Sequence, residues 1–428
     1  MTEAWIALAV VLFALLFSSA PIAIALGGTA FLYFFYYTLM PMTQVPERLF
    51  NALNSFPLMA IPFFVFGANL MSRGGISKRL TDAGNAVVGH LRGGMGMTAV
   101  LACMFFAAVS GSSPATVVAV GTLMIPAMIA SGYPKQFSTG LIASAGSLGI
   151  LIPPSIPLIV YGISTEQSIG DLFMAGVLPG IMAGSMLLLT VVIVAWRKGY
   201  GTGEYQIRMT GRERIKALAD ASLSLMLPVI VLGGIYGGLF TPTEAAAVTV
   251  GYALLVSMGV YRELKFKDLW PIVLASARTS AMVMFIIANG ILFTFVLTSE
   301  RIPAQITDAI LGMELQPWQF LLIVNLILLV VGCFMETSSA ILILAPILLP
   351  IAMELGVDPI HLGVIMIMNL EIGMITPPLG LNLFVASGLS GMSVLQVAKA
   401  SIPFAVVLIT GLLLVTYIPA ISLFLVGG

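Results

Sequence analysis

The sequence predicts an all-α, polytopic membrane protein built from two inverted repeats, and three observations support this fold class. Of 428 residues, 59% are hydrophobic and only 8% are charged, whereas soluble domains carry about 25% charged residues. Many apolar stretches approach the roughly 20 residues that a helix needs to cross a bilayer. Landmarks of the first half recur in the second half. The stretches are continuously apolar rather than alternating, which excludes a transmembrane β-barrel.

The N-terminus, the charge balance and the cysteines exclude several classes of protein. The first apolar segment follows Glu3 and lacks a basic start, so we interpret it as a retained helix and not a secretory signal. The 18 basic and 18 acidic residues balance, which argues against nucleic acid as a partner. Cys103 and Cys333 lie in apolar stretches, which predicts buried thiols rather than a disulfide. No spacing indicates a transition-metal site, a catalytic dyad or a phosphate loop.

Internal similarity divides the chain into two related halves. Two landmarks recur at an offset of 226 residues (81 to 307 and 112 to 338), namely Thr81-Asp82-Ala83 as Thr307-Asp308-Ala309 and Ser112-Ser113 as Ser338-Ser339. A third recurs at an offset of 224 (149 to 373), namely Gly149 to Pro154 as Gly373 to Pro378. A repeat in one register predicts a duplicated fold.

The distribution of Lys and Arg predicts the orientation of the two halves. If the chain starts outside, every Lys and Arg except Arg48 and Arg301 falls on the cytoplasmic side, as short cytoplasmic loops favour. In this threading a hairpin around Ser112 opens to the cytoplasm, and a hairpin around Ser338 opens outward. The repeats are therefore predicted to be inverted in the membrane.

Three further segments are assigned from their polarity. Ile76 to Val88 and Ile302 to Leu311 are amphipathic and too short to span, which predicts interfacial helices along the two membrane faces. The polar stretch 197–220 is predicted to be a cytoplasmic linker between the halves. Thr241-Pro242-Thr243-Glu244 predicts a capping box that opens a helix over 245–260.

Apolar runs are interrupted at matching places in the two halves. In the first half we predict helices over 95–109 and 114–129 around a turn at Ser110-Gly111-Ser112-Ser113, with Pro114 following a serine cap. In the second half, helices over 318–335 and 340–354 flank Glu336-Thr337-Ser338-Ser339. Each re-entrant hairpin precedes a segment broken by a proline pair, Pro153-Pro154 or Pro377-Pro378.

Broken helices at corresponding positions of two halves predict a substrate and ion site near the middle of the membrane, because freed backbone groups need a polar cavity. Helix N-termini after Ser113 and Ser339 favour an anion. Unwound carbonyls near Gly146, Gly149 and Gly373 favour sodium. The acids Glu336 and Glu371 lie inside the broken elements of the second half, and roles in ion binding, proton uptake and structure all remain open for them.

The chain resembles the large membrane subunit of tripartite ATP-independent periplasmic (TRAP) transporters over nearly its whole length. The stretches that carry the resemblance are Ile61 to Phe64 with Asn69 to Met71, Ser110 to Thr116, Gly149 to Pro157, Pro242 to Ala245, and Asn369 to Val385. Glu336 and Glu371 depart from the commonest pattern of that family. The sequence around Met335-Glu336 and Glu371 to Met374 is similar to that of the C4-dicarboxylate branch of the family. A sialic acid or another sugar acid is the alternative substrate.

The resemblance implies sodium-coupled transport by an elevator mechanism, in which hairpins and broken helices move together against a scaffold. It implies Na⁺ as the coupling ion, held by Ser110, Gly111, Ser112, Gly146, Gly149, Glu336, Thr337, Ser338, Gly373 and Thr376. It implies a substrate site between the hairpin tips, formed by Ser112, Ser113, Thr116, Ser338, Ser339 and Asn382.

The resemblance also implies an order of segments and a location in the bacterial inner membrane. The segments are scaffold helices over 1–72, a cytoplasmic arm over 73–92, the first half of the transport domain over 93–172, scaffold helices over 173–298, an outer arm over 299–316, the second half of the transport domain over 317–398, and a C-terminal scaffold helix over 399–428.

Two partners are implied besides the lipid bilayer. One is a small four-helix membrane subunit, expected as a separate chain because this chain begins at its own first helix. The other is a periplasmic substrate-binding protein. The alternatives are a stand-alone organic-anion carrier and, from another class, an intramembrane enzyme or a scaffold for a receptor complex.

Overall fold

The computed structural model describes residues 2–18, 20–38, 41–200 and 210–426. These residues form helices and short turns, and no strand occurs among them. Eight helices in the described part of the chain are long and apolar enough to cross a membrane. The predicted class, an all-α polytopic membrane protein, is confirmed. The predicted linker over 197–220 lies partly outside the described residues, at 201–209.

The chain begins with helices that precede the first repeat. They are α1 (Thr2–Phe17), α2 (Ile22–Tyr36), α3 (Gln44–Leu53), a 3₁₀ turn (Phe56–Met59) and α4 (Ala60–Arg73). The first repeat then contains α5 (Ile76–Val88), α6 (Gly94–Ser110), α7 (Ser113–Ala130), α8 (Lys135–Ala145), α9 (Leu148–Leu151), α10 (Ile156–Thr165) and α11 (Ile169–Lys198).

Connecting helices lead into the second repeat. They are α12 (Gly211–Tyr236), α13 (Pro242–Leu254) with a π-helical end (Leu255–Val260), and α14 (Phe266–Ser299). The second repeat contains α15 (Ile302–Leu311), α16 (Pro317–Gly332), α17 (Thr337–Glu354), α18 (Pro359–Gly373), α19 (Leu381–Ser390) and α20 (Val394–Tyr417), followed by α21 (Ala420–Leu423). The order from α5 to α11 thus recurs from α15 to α20, with α18 in place of α8 and α9.

Several local predictions agree with the structure. Helices α5 and α15 coincide with the two segments predicted as interfacial. The capping box before α13 is present, because the Glu244 carboxylate accepts from Thr241 N at 2.8 Å and Glu244 N donates to the Thr241 hydroxyl at 3.3 Å. This exposed box satisfies backbone donors at the start of the helix.

The two hairpin turns differ from prediction in their bounds. Helix α7 begins at Ser113, one residue before the predicted start, so the predicted cap Ser113 lies inside the helix, and Ser112 takes the N-cap position without a capping bond through its side chain. Helix α17 begins at Thr337, three residues before the predicted start, because the Glu336 side chain caps it by accepting from Ser339 N at 3.1 Å. A side-chain acceptor at this position satisfies an otherwise unpaired amide and allows the helix to start early.

The two repeats interlock. Helix α10 of the first repeat packs on α17 of the second, and α19 of the second packs on α7 and α8 of the first. Helices α11 and α20 pack on this body, α11 on α6 and α18, α20 on α8 and α18. The remaining helices form a second group in which α14 packs on α2, α3 and α4, α13 on α4, and α12 on the arm helix α5.

Candidate functional site

The first hairpin turn is closed by hydroxyl groups. The Ser110 and Thr116 hydroxyl oxygens are 2.9 Å apart, and Thr116 Oγ1 donates to Ser112 O at 2.8 Å. Ser112 N donates weakly to Ser110 Oγ at 3.4 Å. The turn therefore contains several oxygens and no charge.

This turn lies directly against the first proline break. Gly111 has a φ of +58°, and a Cβ there would be 2.7 Å from Pro154 O. A Cβ at Gly149 would be 2.5 Å from Thr116 Oγ1 and 2.7 Å from Ser112 O. Glycine is required at both positions because only a residue without a Cβ allows this approach. The structure thus brings together five of the predicted site residues, namely Ser110, Gly111, Ser112, Thr116 and Gly149.

Gly146 lies slightly apart from this group. A Cβ there would be 2.2 Å from Val117 Cγ2 on α7, so the residue permits close packing of two helices. Its carbonyl oxygen accepts from Gly149 N at 2.9 Å. The Cα of Gly146 therefore lies against the wall of the hairpin and not against its hydroxyl groups.

The second hairpin turn is organised by Glu336. Its Oε1 accepts from Ser338 Oγ at 2.9 Å, and its Oε2 accepts from Ser339 N at 3.1 Å and Ser339 Oγ at 3.3 Å. The carboxylate therefore neutralises the positive end of α17. Of the roles left open for Glu336, the structure provides a capping one.

The second proline break packs on the end of α16. A Cβ at Gly373 would lie 2.4 Å from the Gly332 carbonyl carbon, and Leu379 N and Gly380 N donate to Cys333 O at 3.2 and 3.3 Å. The Thr376 hydroxyl donates to Ile372 O at 2.8 Å, within its own helix end. Both proline pairs contain a cis peptide bond. The turn and the break of the second repeat are therefore also adjacent.

A buried polar cluster connects the two repeats at the helix starts. Asn382 Nδ2 donates to Ser113 Oγ at 2.6 Å across 269 positions of sequence. Thr337 Oγ1 donates to Glu371 Oε1 at 2.9 Å, and the Ser113 side chain also interacts with Glu371. One cluster thus includes Ser113, Thr337 and Asn382 from the predicted sites, and Glu371, which the resemblance had not placed among them.

Most predicted site residues are buried in this conformation. Thr116, Ser113, Thr337, Ser338, Ser339 and Asn382 are buried, and Ser112, Glu336 and Thr376 are partly exposed.

A second buried polar chain was not predicted from sequence. Asn369 Nδ2 donates to Asn325 Oδ1 at 2.5 Å, Asn325 Nδ2 donates to Thr416 Oγ1 at 3.1 Å, and His361 Nε2 lies 3.3 Å from Thr416 O. This chain of hydrogen bonds links α20 to α16 and α18. Asparagines inside apolar helices were its only sequence signal.

Comparison with known proteins agrees with this architecture. Residues 9–421 match the family model described as "Tripartite ATP-independent periplasmic transporter, DctM component". The chain is 51% identical over 376 residues to the C4-dicarboxylate TRAP transporter large permease protein DctM of Pseudomonas aeruginosa, covering 88% of this chain and 87% of that protein. It is 45% identical over 426 residues to the protein of the same description from Rhodobacter capsulatus, covering 96% of each.

A solved structure shares the fold. The Alcanivorax borkumensis YdaH transporter superimposes with a TM-score of 0.61 at 16% sequence identity, covering 87% of each chain.

Proposed function

This chain belongs to the DctM family of tripartite ATP-independent periplasmic transporters, and from that premise we propose that it is the large permease of a sodium-coupled uptake system for C4-dicarboxylates. It is a multi-pass protein of the bacterial inner membrane, and its family consists of transport permeases rather than enzymes. The relatives described as C4-dicarboxylate permeases support the choice of substrate class.

The observation that carries the proposal is the meeting of both hairpins in one polar cluster. Ser113 at the start of α7 and Thr337 at the start of α17 are joined through Asn382 and Glu371. Helix N-termini attract anions because their first amides lack intrahelical partners. The start of α7, which no side chain caps, together with the hydroxyls that meet it from the second repeat, forms a site for a substrate that carries carboxylates.

Sodium coupling is supported by the oxygen-rich breaks. In the first repeat the hydroxyls of Ser110 and Thr116 and the carbonyl of Ser112 lie beside Gly149. The prolines of each pair cannot donate, so carbonyls one turn earlier lack their usual partners. Unwound carbonyls of this kind coordinate sodium in transporters with broken helices. We assign one sodium site to each break.

The packing supports an elevator in which the interlocked repeats move as one body. We include α11 and α20 in this body, because both pack on the hairpins and broken helices. This assignment removes α11 from the scaffold predicted over 173–298, and α20 from the scaffold predicted over 399–428. In the predicted orientation α10 lies on the outer side and α19 on the inner side. Helix α10 contacts the 3₁₀ turn before α4. Among the described elements, the extensive contacts of α19 are with α7, α8 and α20. The body then exposes its cytoplasmic half.

We propose two protein partners. A small membrane subunit would cover part of the apolar surface of the scaffold helices, and a periplasmic binding protein would deliver the substrate to the outer face. The outer loops over 164–171 and 236–243 border a groove of about 860 Å³. Such contacts need only modest affinity, because the binding protein must dissociate in every cycle.

Transport into reconstituted vesicles tests this function. Vesicles holding this chain and its small subunit receive radiolabelled succinate outside, with and without the binding protein and with sodium or choline as the external cation. We expect accumulation only when the binding protein and external sodium are both present. Accumulation at full rate from free succinate would favour a stand-alone carrier, and accumulation without sodium would contradict the coupling.

A competition series tests the substrate class. Unlabelled malate and fumarate should compete with succinate, and sialic acid should not. Competition by sialic acid alone would assign the protein to the sugar-acid branch of the family. The proposed transport mechanism would not be affected by that result.

A further inference from the structure

A charged cleft lies between the arm helix α5 and the start of α12, on the cytoplasmic side in the predicted orientation. Its volume is about 340 Å³, and all but one of the described residues that line it are charged. The lining comes from α5, from the first turns of α12 and from the loop after α13, and includes Lys78, Arg79, Asp82, Lys216, Asp220 and Glu263. The proposed transport site uses none of these residues.

One wall of the cleft is held by residues that satisfy one another. The Arg79 guanidinium forms a salt bridge with Glu263 at 2.6 Å and lies over the Tyr261 ring at 3.7 Å. Tyr261 Oη donates to Asp220 O at 2.8 Å. These contacts fix the loop after α13 on α5 and on α12, and they leave the Arg79 charge neutralised within the protein.

Four charged groups of the cleft have no such partner. The Glu213 carboxylate is used by the capping box at the start of α12. No salt bridge among the described residues involves the other four, which are Lys78, Asp82, Lys216 and Asp220. The base and the acid on each helix are one turn apart, so α5 and α12 each present one of both on one face. The cleft thus offers two positive and two negative charges, whose sum is zero.

The two acids of the cleft influence each other. Asp82 is partly buried on α5, and burial raises the pKa of its carboxyl; Lys78 and Arg79 lower that pKa, and the carboxylate of Asp220 raises it. Carboxylates that share a site repel each other. A cation between them removes this repulsion, and a cation with N–H donors also forms charge-assisted hydrogen bonds with them.

The outer arm helix α15 shows that an arm does not need these charges. At the repeat offset of 226 residues (82 to 308 and 78 to 304), Asp308 corresponds to Asp82, but Ala304 stands at the position of Lys78. The preference of Lys and Arg for the cytoplasmic side accounts for the lysines of the cleft. It does not account for two unpaired acids in the same cleft.

The position of the cleft matches that of lipid head groups. Helix α5 is the interfacial arm, and α12 continues from the cleft into a stretch long and apolar enough to cross a membrane. Ile215 and Leu218 in α12, on either side of Lys216 and Ala217, are 72% and 39% exposed. Large exposed apolar side chains beside a polar cleft favour a ligand that has a polar head and apolar chains.

We propose that this cleft binds the head group of a phosphatidylethanolamine molecule from the cytoplasmic leaflet. Lys78 and Lys216 bind its phosphate, and Asp82 and Asp220 accept hydrogen bonds from its ammonium group. The head group carries one charge of each sign, so it satisfies all four side chains without adding net charge to the cleft.

The same chemistry selects against two other common head groups. An anionic head group such as that of phosphatidylglycerol leaves both acids without a cation. The quaternary ammonium of phosphatidylcholine has no N–H to donate and is recognised by aromatic rings. None of the described residues that line the cleft is aromatic, and the Tyr261 ring beside it is covered by Arg79.

The bound lipid has a structural consequence for the arm. Helix α5 packs on α12 and also on α6 of the first repeat. A head group held by both α5 and α12 adds a second link to the salt bridge between Arg79 and Glu263. Phosphatidylethanolamine therefore stabilises the attachment of the cytoplasmic arm to α12.

Native mass spectrometry of the purified full-length chain in detergent tests the proposal. The probes are dioleoyl lipids with ethanolamine, choline or glycerol head groups, and free glycerophosphoethanolamine. We expect one phosphatidylethanolamine molecule to bind about tenfold more tightly than either other lipid. Equal binding of the three lipids, or tighter binding of phosphatidylglycerol, would overturn the proposal. Equal binding of glycerophosphoethanolamine and the intact lipid would assign the cleft to a soluble zwitterion and also overturn it.

Substitutions separate the two ends of the head group. The double variant Asp82→Asn with Asp220→Asn should lose the preference for ethanolamine over choline, because the carboxylates contact only the ammonium end. Lys216→Gln should weaken the binding of both lipids about threefold and keep the preference, because the phosphate is common to both. Asp308→Asn on the outer arm is the matched control and should bind lipids as the wild type does.

Thermal unfolding shows whether each variant is folded, and Lys216→Gln at an exposed position of α12 keeps the test decisive if the double variant is not. Full preference for ethanolamine in a folded double variant would contradict the proposal. Unchanged affinity for both lipids in Lys216→Gln would do the same. A loss of preference in Asp308→Asn equal to that in the double variant would show that the cleft is not the origin of the selectivity.

Discussion

The two hairpin turns occupy equivalent places in the repeats but are chemically different. The first turn is held by the hydroxyls of Ser110 and Thr116, and no side chain caps α7. The second turn is held by the carboxylate of Glu336, which accepts from the Ser339 amide and from the hydroxyls of Ser338 and Ser339. The uncapped start of α7 is thus the better position for an anionic substrate, and the acidic second half is the better position for cations.

The two proline breaks differ in their environment. Pro153 and Pro154 are buried, whereas Pro377 and Pro378 are exposed. Phe384 in α19 is 48% exposed, and its repeat equivalent Val160 in α10 is 1% exposed. The first break is thus covered, with Pro153 lying against Gly176 of α11, and the second break is left uncovered.

The largest expected effect concerns this difference in exposure. A cysteine at Phe384 should react with an impermeant maleimide about 100-fold faster than a cysteine at Val160, because the latter reacts only after local opening. Labelling is measured in inside-out vesicles, and the buried native residues Cys103 and Cys333 give the background. Equal rates at the two positions, or faster reaction of Phe384→Cys in right-side-out vesicles, would reject the cytoplasm-exposed conformation.

The glycines at the two breaks give the next effect. Gly373→Ala should destabilise the protein by about 1–3 kcal/mol, because its Cβ would meet the backbone of Gly332, which cannot move aside. Gly149→Ala should destabilise the protein by a similar amount, since its Cβ would meet the backbone carbonyl of Ser112 as well as the Thr116 hydroxyl. Thermal unfolding and the monodisperse fraction after extraction measure both variants.

Gly388→Ala is the matched control for the glycines. It changes a helical glycine in α19 that has no atom within 4 Å of the added Cβ. A loss in Gly388→Ala equal to that in Gly373→Ala would show that close packing at the break is not the cause.

Substitutions in the two turns should differ in effect: one in the second turn should lower stability, and one in the first turn should lower transport. Glu336→Ala should lower stability by about 1–2 kcal/mol, because it removes the cap of α17. Ser112→Ala removes no capping bond and should change stability by less than about 0.5 kcal/mol, yet reduce succinate uptake. Ser338→Ala should lie between them, because its hydroxyl donates to Glu336. Normal uptake and normal sodium dependence in both serine variants would show that the turns do not form the site.

The smallest expected effect concerns the two links between the repeats. Tyr161 Oη donates to Pro359 O at 2.7 Å on the outer side, and Asn382 makes the corresponding link near the turns. Tyr161→Phe should cost about 1 kcal/mol of stability, the net value of one hydrogen bond, and leave the sodium dependence of uptake unchanged. A change in sodium dependence would show that the outer link also affects the ion sites.

Much of the site could be predicted from sequence because its signals are local. The glycines at 111, 149 and 373 and the proline pairs mark places where the chain must break, and the structure puts each turn on its break. The role of Glu336 could not be decided, since a capping acid and an ion-binding acid have the same neighbours in sequence. The separation of Gly146 from the hydroxyl groups depended on how α8 packs on α7.

The sequence by itself determined the membrane class, the repeat register, the bounds of α5 and α15, and the capping box at Thr241 and Glu244. Each of these follows from hydropathy or from residues within one helical turn. The tertiary structure alone decided the bond between Ser113 and Asn382, the unpaired oxygen of Glu371, and the unequal burial of the proline pairs. These features depend on contacts between residues far apart in the chain, and periodicity reports only which face of a helix is apolar, not which element covers that face.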